Sequence, residues 1–214
     1  MDDVQPIIIW RPSAAREPGF RWVYRFYESR IGPPHVELDG SRRLFNKAAL
    51  INRAGARFPG KILLICDADC FPCDRPLFEG INLVRDDPSR MCLPHDALCR
   101  MTTAESRRTL QTAPENEVTG EGLPRHRKHL AHGGLWIVHQ RLLSRHPVDT
   151  KFCGWGYEDV DFLKRVPHAR LPGGLFHIFH PRASMTRKKA NLRRLRRKDR
   201  LRAQQSANTH GAEK

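Results

Sequence analysis

Residues 61–69 constrain this chain more than any other segment. Lys61-Ile62-Leu63-Leu64-Ile65-Cys66 is apolar at every position after the lysine, without alternation, and runs into Asp67-Ala68-Asp69. A strand of that pattern is covered on both faces, as in a parallel sheet flanked by helices. Such sheets bind ligands beyond the carboxyl ends of their strands, which is where the two aspartates fall. Carboxylates one residue apart at a strand end can share one divalent cation, directly or through water. Hard oxygen donors select Mg2+ or Mn2+, ions that also bind substrate phosphates. An isolated Asp-x-Asp is common in solvated turns, so the buried strand before it carries the weight.

The flanking sequence fits the same architecture. Ile7-Ile8-Ile9-Trp10 reads as a buried first strand and residues 16–30 as a helix carrying Trp22, Phe26 and Tyr27. Pro33-Pro34 ends that unit, and His35-Val36-Glu37-Leu38 reads as a second strand before the Asp39-Gly40 turn. Residues 41–56 place Leu44, Phe45, Ala48, Ala49 and Ile51 at helical spacing, with Gly55 near the end. Strand, helix, strand, helix, strand opens a doubly wound α/β fold. Residues 102–129 are polar, contain Gly120 and Gly122, and read as a loop or lid. Gly133-Gly134 then precedes a strand at 135–138, and residues 175–180 read as the last strand. The 214 residues suit one domain, predicted over 1–181, and a basic extension over 182–214 that is helical or disordered.

Charge is concentrated in that extension. Of a formal net +15, the segment 182–202 supplies +10, from eleven Arg or Lys against Asp199 alone. Such a tail suits a polyanionic partner, with Arg187, Lys188, Lys189, Arg193, Arg194, Arg196 and Arg197 as the predicted nucleic-acid contacts. Only Leu192, Leu195 and Leu201 in it are large and apolar, which argues against a membrane-surface helix. No apolar run approaches the roughly 20 residues of a membrane span, and the first residues lack secretory character. A cytoplasmic protein, of a bacterial or virus-infected cell, is the expectation. The six cysteines then read as reduced thiols, although Cys70, Cys73, Cys92 and His95 have spacings open to a zinc site.

Two further constellations carry chemistry. Trp155-Gly156-Tyr157-Glu158-Asp159-Val160-Asp161 places three acids within four residues, which repel one another unless solvated, hydrogen-bonded or used. One can take a proton from an attacking hydroxyl, and Trp155 offers a face on which a sugar ring stacks. A helix starting there would favour the carboxylates through its dipole and hold Asp159 in place. His177-Ile178-Phe179-His180 supplies two imidazoles three residues apart. On a strand they face opposite sides, and both can reach one ion only if the strand ends in a turn.

In this order the elements resemble the catalytic domain of the beta-1,4-galactosyltransferases and related family 2 and family 7 enzymes of the GT-A class. The matching motifs are Phe45-Asn46-Lys47, Asp67-Ala68-Asp69, Gly133-Gly134 and Trp155-Gly156-Tyr157-Glu158-Asp159, and the resemblance spans roughly residues 7–190. It implies a GT-A fold, Rossmann-like with a mostly parallel sheet, and a Mn2+- or Mg2+-dependent transferase using a nucleotide-sugar donor. It implies Asp69 and His180 as metal ligands, with Asp67 in the metal shell or at the donor ribose and His177 as a further ligand. Asp159 is implied as catalytic base, with Trp155, Tyr157 and Glu158 on the acceptor side. Asn46, Lys47, Ala68, Gly133, Gly134 and either Arg11 or Arg16 are implied near the donor. Related retaining enzymes carry Asn where this chain has Asp159, which points to inversion. Tyr157 departs from the family motif, standing in place of its second glycine and crowding the acceptor side.

With the basic tail, the leading acceptor is a hydroxymethylated base in DNA, as in viral DNA modification. A glycan, glycolipid or protein acceptor is the alternative. A nucleic-acid-binding protein without catalysis, its acidic motifs merely structural, is the reading from another class.

Overall fold

The apolar runs form strands whose alternate side chains enter two different cores. The computed structural model describes residues 1–41, 44–121, 131–181 and 185–211, with side chains through residue 205 in the last stretch. The chain begins β1 (Val4–Trp10), α1 (Glu17–Arg30), β2 (His35–Leu38), α2 (Lys47–Arg57) and β3 (Ile62–Asp67). It continues as β4 (Cys70–Pro72), α3 (Asp74–Asp86), β5 (Met91–Leu93), β6 (Ala97–Arg100) and α4 (Thr103–Gln111). Then follow β7 (Leu135–His139), α5 (Gln140–Arg145), α6 (Glu158–Leu163), β8 (His168–Arg170), β9 (Gly174–His177) and α7 (Lys188–Gly211).

The main sheet has six strands in the order β2-β1-β3-β7-β5-β8. Its ladders are parallel except the two made by β7, which runs against both β3 and β5. The start of β7 therefore lies beside the carboxyl end of β3, where Leu135 pairs with Cys66. Ile8, Leu64, Cys66, Leu135 and Ile137 point into one core with Trp22 and Phe26 of α1 and Leu77 and Ile81 of α3. Ile7, Ile9, Leu63, Ile65, Trp136 and Val138 point into the other, against Ile51 of α2, Leu142 of α5 and Phe162 of α6. Helices on both faces are why these strands need no polar alternation. Burial of each such side chain is worth about 2 kcal/mol.

A second sheet, β4-β9-β6, sits at the carboxyl end of β3 and brings the histidine segment beside the aspartates. Cys70 pairs with His177 across its β4/β9 ladder. The last strand thus ends at His177, three residues short of the stretch predicted from sequence.

Two other sequence expectations are corrected, and two left open are resolved. The helix predicted over 41–56 begins at Lys47, because the Asn46 side chain accepts the Ala49 N–H at 3.0 Å and caps it. The loop predicted over 102–129 contains α4, opened by a capping box of Thr102 and Glu105; residues 122–129 of it lie outside the described residues. The zinc set is not assembled. Cys92 lies beneath α3, where a Cβ on Gly80 would stand 3.1 Å from its sulfur, while Cys73 lies under Gly120. The tail takes the helical of its two expected forms, as α7, and packs on the domain. Leu195 and Asn191 are buried, and α7 is joined to Asp149 and Asp161 by ion pairs from Arg194, Lys198 and Arg202. Arg182 lies outside the described residues.

Candidate active site

The site forms where β3 ends, β7 begins, β9 turns away and α2 and α6 start. The Asp67 amide donates to the Gly134 carbonyl at 2.8 Å, and the Ile178 amide donates to the Asp69 carbonyl at 2.9 Å. These two backbone bonds lock Asp67-Ala68-Asp69 between β7 and the histidine segment. Gly134 has φ +95°, and a Cβ on it would approach Leu175 to 2.5 Å, so this strand start admits no side chain.

Asp69 is the centre. Its side chain is 5% exposed and lies 3.1 Å from His180 Nε2 and 3.8 Å from His177 Nε2. Because the chain turns after His177, the two imidazoles lie together, with centroids 5.1 Å apart. Arg16 donates to Asp69 Oδ2 from Nε at 2.9 Å and stands 2.6 Å away at Nη2. Burial alone would raise the Asp69 pKa, but His180, His177 and Arg16 hold it well below the usual carboxylate range. Contact with Asp69 raises the pKa of His180, whereas burial lowers that of His177.

The donor set suits a divalent cation. Adjacent ligands of an octahedral ion at about 2.1 Å lie roughly 3 Å apart, close to the 3.1 Å between His180 and Asp69. Asp69, Cys70 and His177 also converge among the described residues. The Cys70 thiol is buried and its pKa is pushed well up by that burial, so oxygen and imidazole are the better donors. Arg16 meanwhile gives Asp69 a counter-charge.

Lys47, the first residue of α2, makes an ion pair with Asp67. Burial opposes its charge, yet Asp67, then Glu158 and Asp159, raise its pKa well above the usual lysine value. One ammonium thus faces carboxylates from both acidic motifs. Asp159 packs over the glycine pair: a Cβ on Gly133 would come within 2.9 Å of Asp159 Oδ2. Its other oxygen accepts the Val160 amide at 2.8 Å. The Glu158 carboxyl is raised to about 7, first by burial and then by Asp159, against the opposing pull of Lys47.

That shift makes a stability prediction. Glu158 favours its protonated form in the fold, so its contribution is intact below an ordinary glutamate pKa of 4.5 and is lost as pH rises through about 7. Glu158→Gln removes the loss. In metal-free buffer the variant should match the native chain near pH 5 and exceed it by about 1–2 kcal/mol near pH 8, read from urea midpoints. Equal midpoints at both pH values would refute the shift.

Tyr157 caps α6 from the left-handed region, at φ 78°. The family glycine takes that conformation freely, whereas a residue with a side chain pays about 1–2 kcal/mol. Trp155 is 42% exposed, and Lys188 Nζ lies 4.9 Å from its ring centroid.

Other predicted residues are placed differently. Arg11 stands 2.5 Å from Asp39 Oδ2 and over the Phe45 ring, so Arg16 is the arginine on Asp69. Asn46 caps α2 and donates to Thr150 O at 2.9 Å, which engages both ends of its amide within the fold. Ala68 is fully buried. Among the predicted nucleic-acid contacts, Arg194 turns inward, 2.7 Å from Asp149, and Lys188 lies on Trp155. Lys189, Arg193, Arg196 and Arg197 are exposed on α7, and Arg187 just precedes it. Sequence reasoning missed Asn191 and the inward cations Lys198 and Arg202.

The fold is GT-A-like, with a mostly parallel sheet flanked by helices. No protein-family model and no curated protein sequence matches it. GalNAc-T7, solved with UDP, GalNAc and Mn2+, superposes at TM-score 0.54 and 11% identity, over 90% of this chain and 47% of that one. The chain thus spans about half the length of that neighbour. Glucosyl-3-phosphoglycerate synthase from Mycobacterium tuberculosis, solved with Mn2+, UDP-glucose and phosphoglyceric acid, superposes at TM-score 0.51 and 14% identity. That match covers 89% of this chain and 77% of the synthase. No helix among the described residues is long and apolar enough to cross a membrane.

Proposed function

We propose that this chain is a metal-dependent, inverting glycosyltransferase that moves a sugar from a UDP-sugar to an acceptor hydroxyl. The observation that carries the reading is the placement of two kinds of group around Gly133-Gly134. Asp69, His177 and His180 converge as donors suited to a cation, and Asp159 stands over Gly133 as a separate carboxylate. The neighbours solved with UDP and Mn2+ support the donor and the ion.

Asp69, His180 and His177 would hold Mn2+ or Mg2+, which when bound neutralises charge on the leaving diphosphate. Asp67 borders the donor end, and Lys47 and Arg16 contribute positive charge there. Asp159 accepts the proton of the acceptor hydroxyl as its oxygen attacks the anomeric carbon. Attack from the face opposite the departing diphosphate inverts the anomeric configuration. Trp155, Tyr157 and Glu158 line the acceptor approach.

The acceptor in this reading is DNA carrying a hydroxymethylated base, and the outer face of α7 supports the polyanion. Lys189, Arg193, Arg196 and Arg200 recur at helical spacing, with Arg197 beside them, and none makes an ion pair among the described residues. At 1.5 Å per residue this stripe runs about 16 Å, long enough to meet several phosphates of one strand. The target base would have to leave the stack to reach Asp159.

One experiment tests donor, ion and acceptor together. The protein is incubated with a panel of nucleotide sugars and Mn2+, with and without hydroxymethylated DNA, following released nucleoside diphosphate and DNA mass. EDTA should suppress turnover, Mn2+ or Mg2+ should restore it, and the DNA should gain the mass of one sugar per modified base. Donor turnover that DNA leaves unchanged would remove the DNA acceptor. Salt-sensitive DNA binding with no turnover of any donor would leave a nucleic-acid-binding protein.

A further inference from the structure

We propose that Asn191, on α7, is a positioning residue for the transfer step, fixing the 153–157 loop and with it the acceptor side of the site; this rests on the transferase reading above. The loop is conformationally costly. Gly154, Gly156 and Tyr157 all take positive φ, at 78°, 85° and 78°. A backbone of that shape cannot pair its own carbonyls in regular structure, and partly buried carbonyls need donors from elsewhere.

Asn191 supplies them. Its side chain is on a residue only 3% exposed, and Nδ2 lies 3.1, 3.2 and 3.1 Å from the carbonyl oxygens of Cys153, Trp155 and Gly156. Among the described residues, those three carbonyls receive no backbone N–H. The two hydrogens of one amide are thus shared among three acceptors that converge on it. The remaining ties reach other parts of the fold: the Gly154 amide donates to Phe45 O at 2.7 Å, and the Trp155 amide to Thr186 O at 3.0 Å. Glu158 and Asp159 follow directly as the first residues of α6. The loop that presents Trp155 and leads into Asp159 is therefore held from the basic helix.

An amide suits this place better than its relatives. Aspartate is isosteric but would set a carboxylate against three carbonyl oxygens, and alanine leaves all three without a donor. A shift of the loop by about 1 Å would misalign the acceptor against the donor carbon, an error that can cost about 100-fold in rate.

The test uses the full-length chain with Mn2+ and the donor it turns over. Asn191→Ala and Asn191→Asp should lower kcat for transfer by roughly 100-fold and raise the acceptor KM, with the donor KM unchanged. Hydrogen exchange should show the amides of Gly154 and Trp155 losing protection in both variants, while β1 and β3 stay protected. Exchange at the loop is read with or without turnover, so a chain inactive toward every donor would overturn the transferase reading and leave the clamp judged by its amides. Unchanged loop protection in a folded variant would overturn the clamp. Lost protection with native transfer kinetics would overturn its positioning role.

Discussion

Asp159→Asn should reduce transfer by at least about a thousandfold, within the range that a general base supplies, while donor affinity stays within about twofold. The substitution keeps shape. Asn can still accept the Val160 amide through Oδ1, the bond that Asp159 makes at 2.8 Å. It still fits over Gly133, where no Cβ intervenes. What is lost is the carboxylate's capacity to take a proton from the acceptor hydroxyl. Asp69 and the two histidines are untouched, so the donor end should be preserved. Release of nucleoside diphosphate at saturating acceptor, beside calorimetric titration of donor with Mn2+, separates the two effects. Native turnover in this variant would take the base role from Asp159, and loss of donor binding would make the residue part of the donor site.

Asp161→Ala should cost about 3–5 kcal/mol of stability. Asp161 is fully buried, and its carboxylate accepts from Lys198 at 2.7 Å, Arg202 at 2.6 Å and Arg165 at 3.2 Å. Removing it leaves three cations around a site that water reaches poorly. Lys198 keeps Asp149 as a second partner at 2.9 Å, but Arg165 loses its acid. The melting temperature should fall by roughly 10 °C, and α7 should become susceptible to limited proteolysis before the rest of the chain melts. A native melting curve would show that water, rather than Asp161, satisfies these cations.

The three acids of the 158–161 segment look alike in sequence, and the structure divides them. Glu158 and Asp159 face Lys47, whereas Asp161 faces the opposite way, onto α7. Sequence could not make that division, because the two partners that draw Asp161 onto α7, Lys198 and Arg202, lie 37 and 41 residues on. The same reason hid the shape of the tail. Asn191, Leu195, Lys198 and Arg202 recur at helical spacing as an inward face, but only Leu195 is apolar, so hydrophobic periodicity alone passes over it. Helix α4 was missed likewise, since its buried positions are Ser106 and Thr109; its legible signal was the Thr102–Glu105 capping box. By contrast residues 7–10 of β1, 62–66 of β3 and 135–138 of β7 were plain from sequence, because both faces of these stretches enter cores and their residues are apolar throughout. Asp67 and Asp69 were plain for the same reason: the strand that announces itself runs into them. The small sheet was not, as its strands are three or four residues long and take their partners from distant segments.

The reversed strand β7 ties the site to the core in a way that bears on how such a chain can change. Leu135 and Ile137 enter one core while Trp136 and Val138 enter the other. A slip of one residue against β3 would exchange those faces and would also pull Gly134 away from the Asp67 amide. Mutations that blur the register would therefore be removed for instability before any loss of chemistry could be felt. Folding alone is thus enough to keep the glycine pair beside the aspartates.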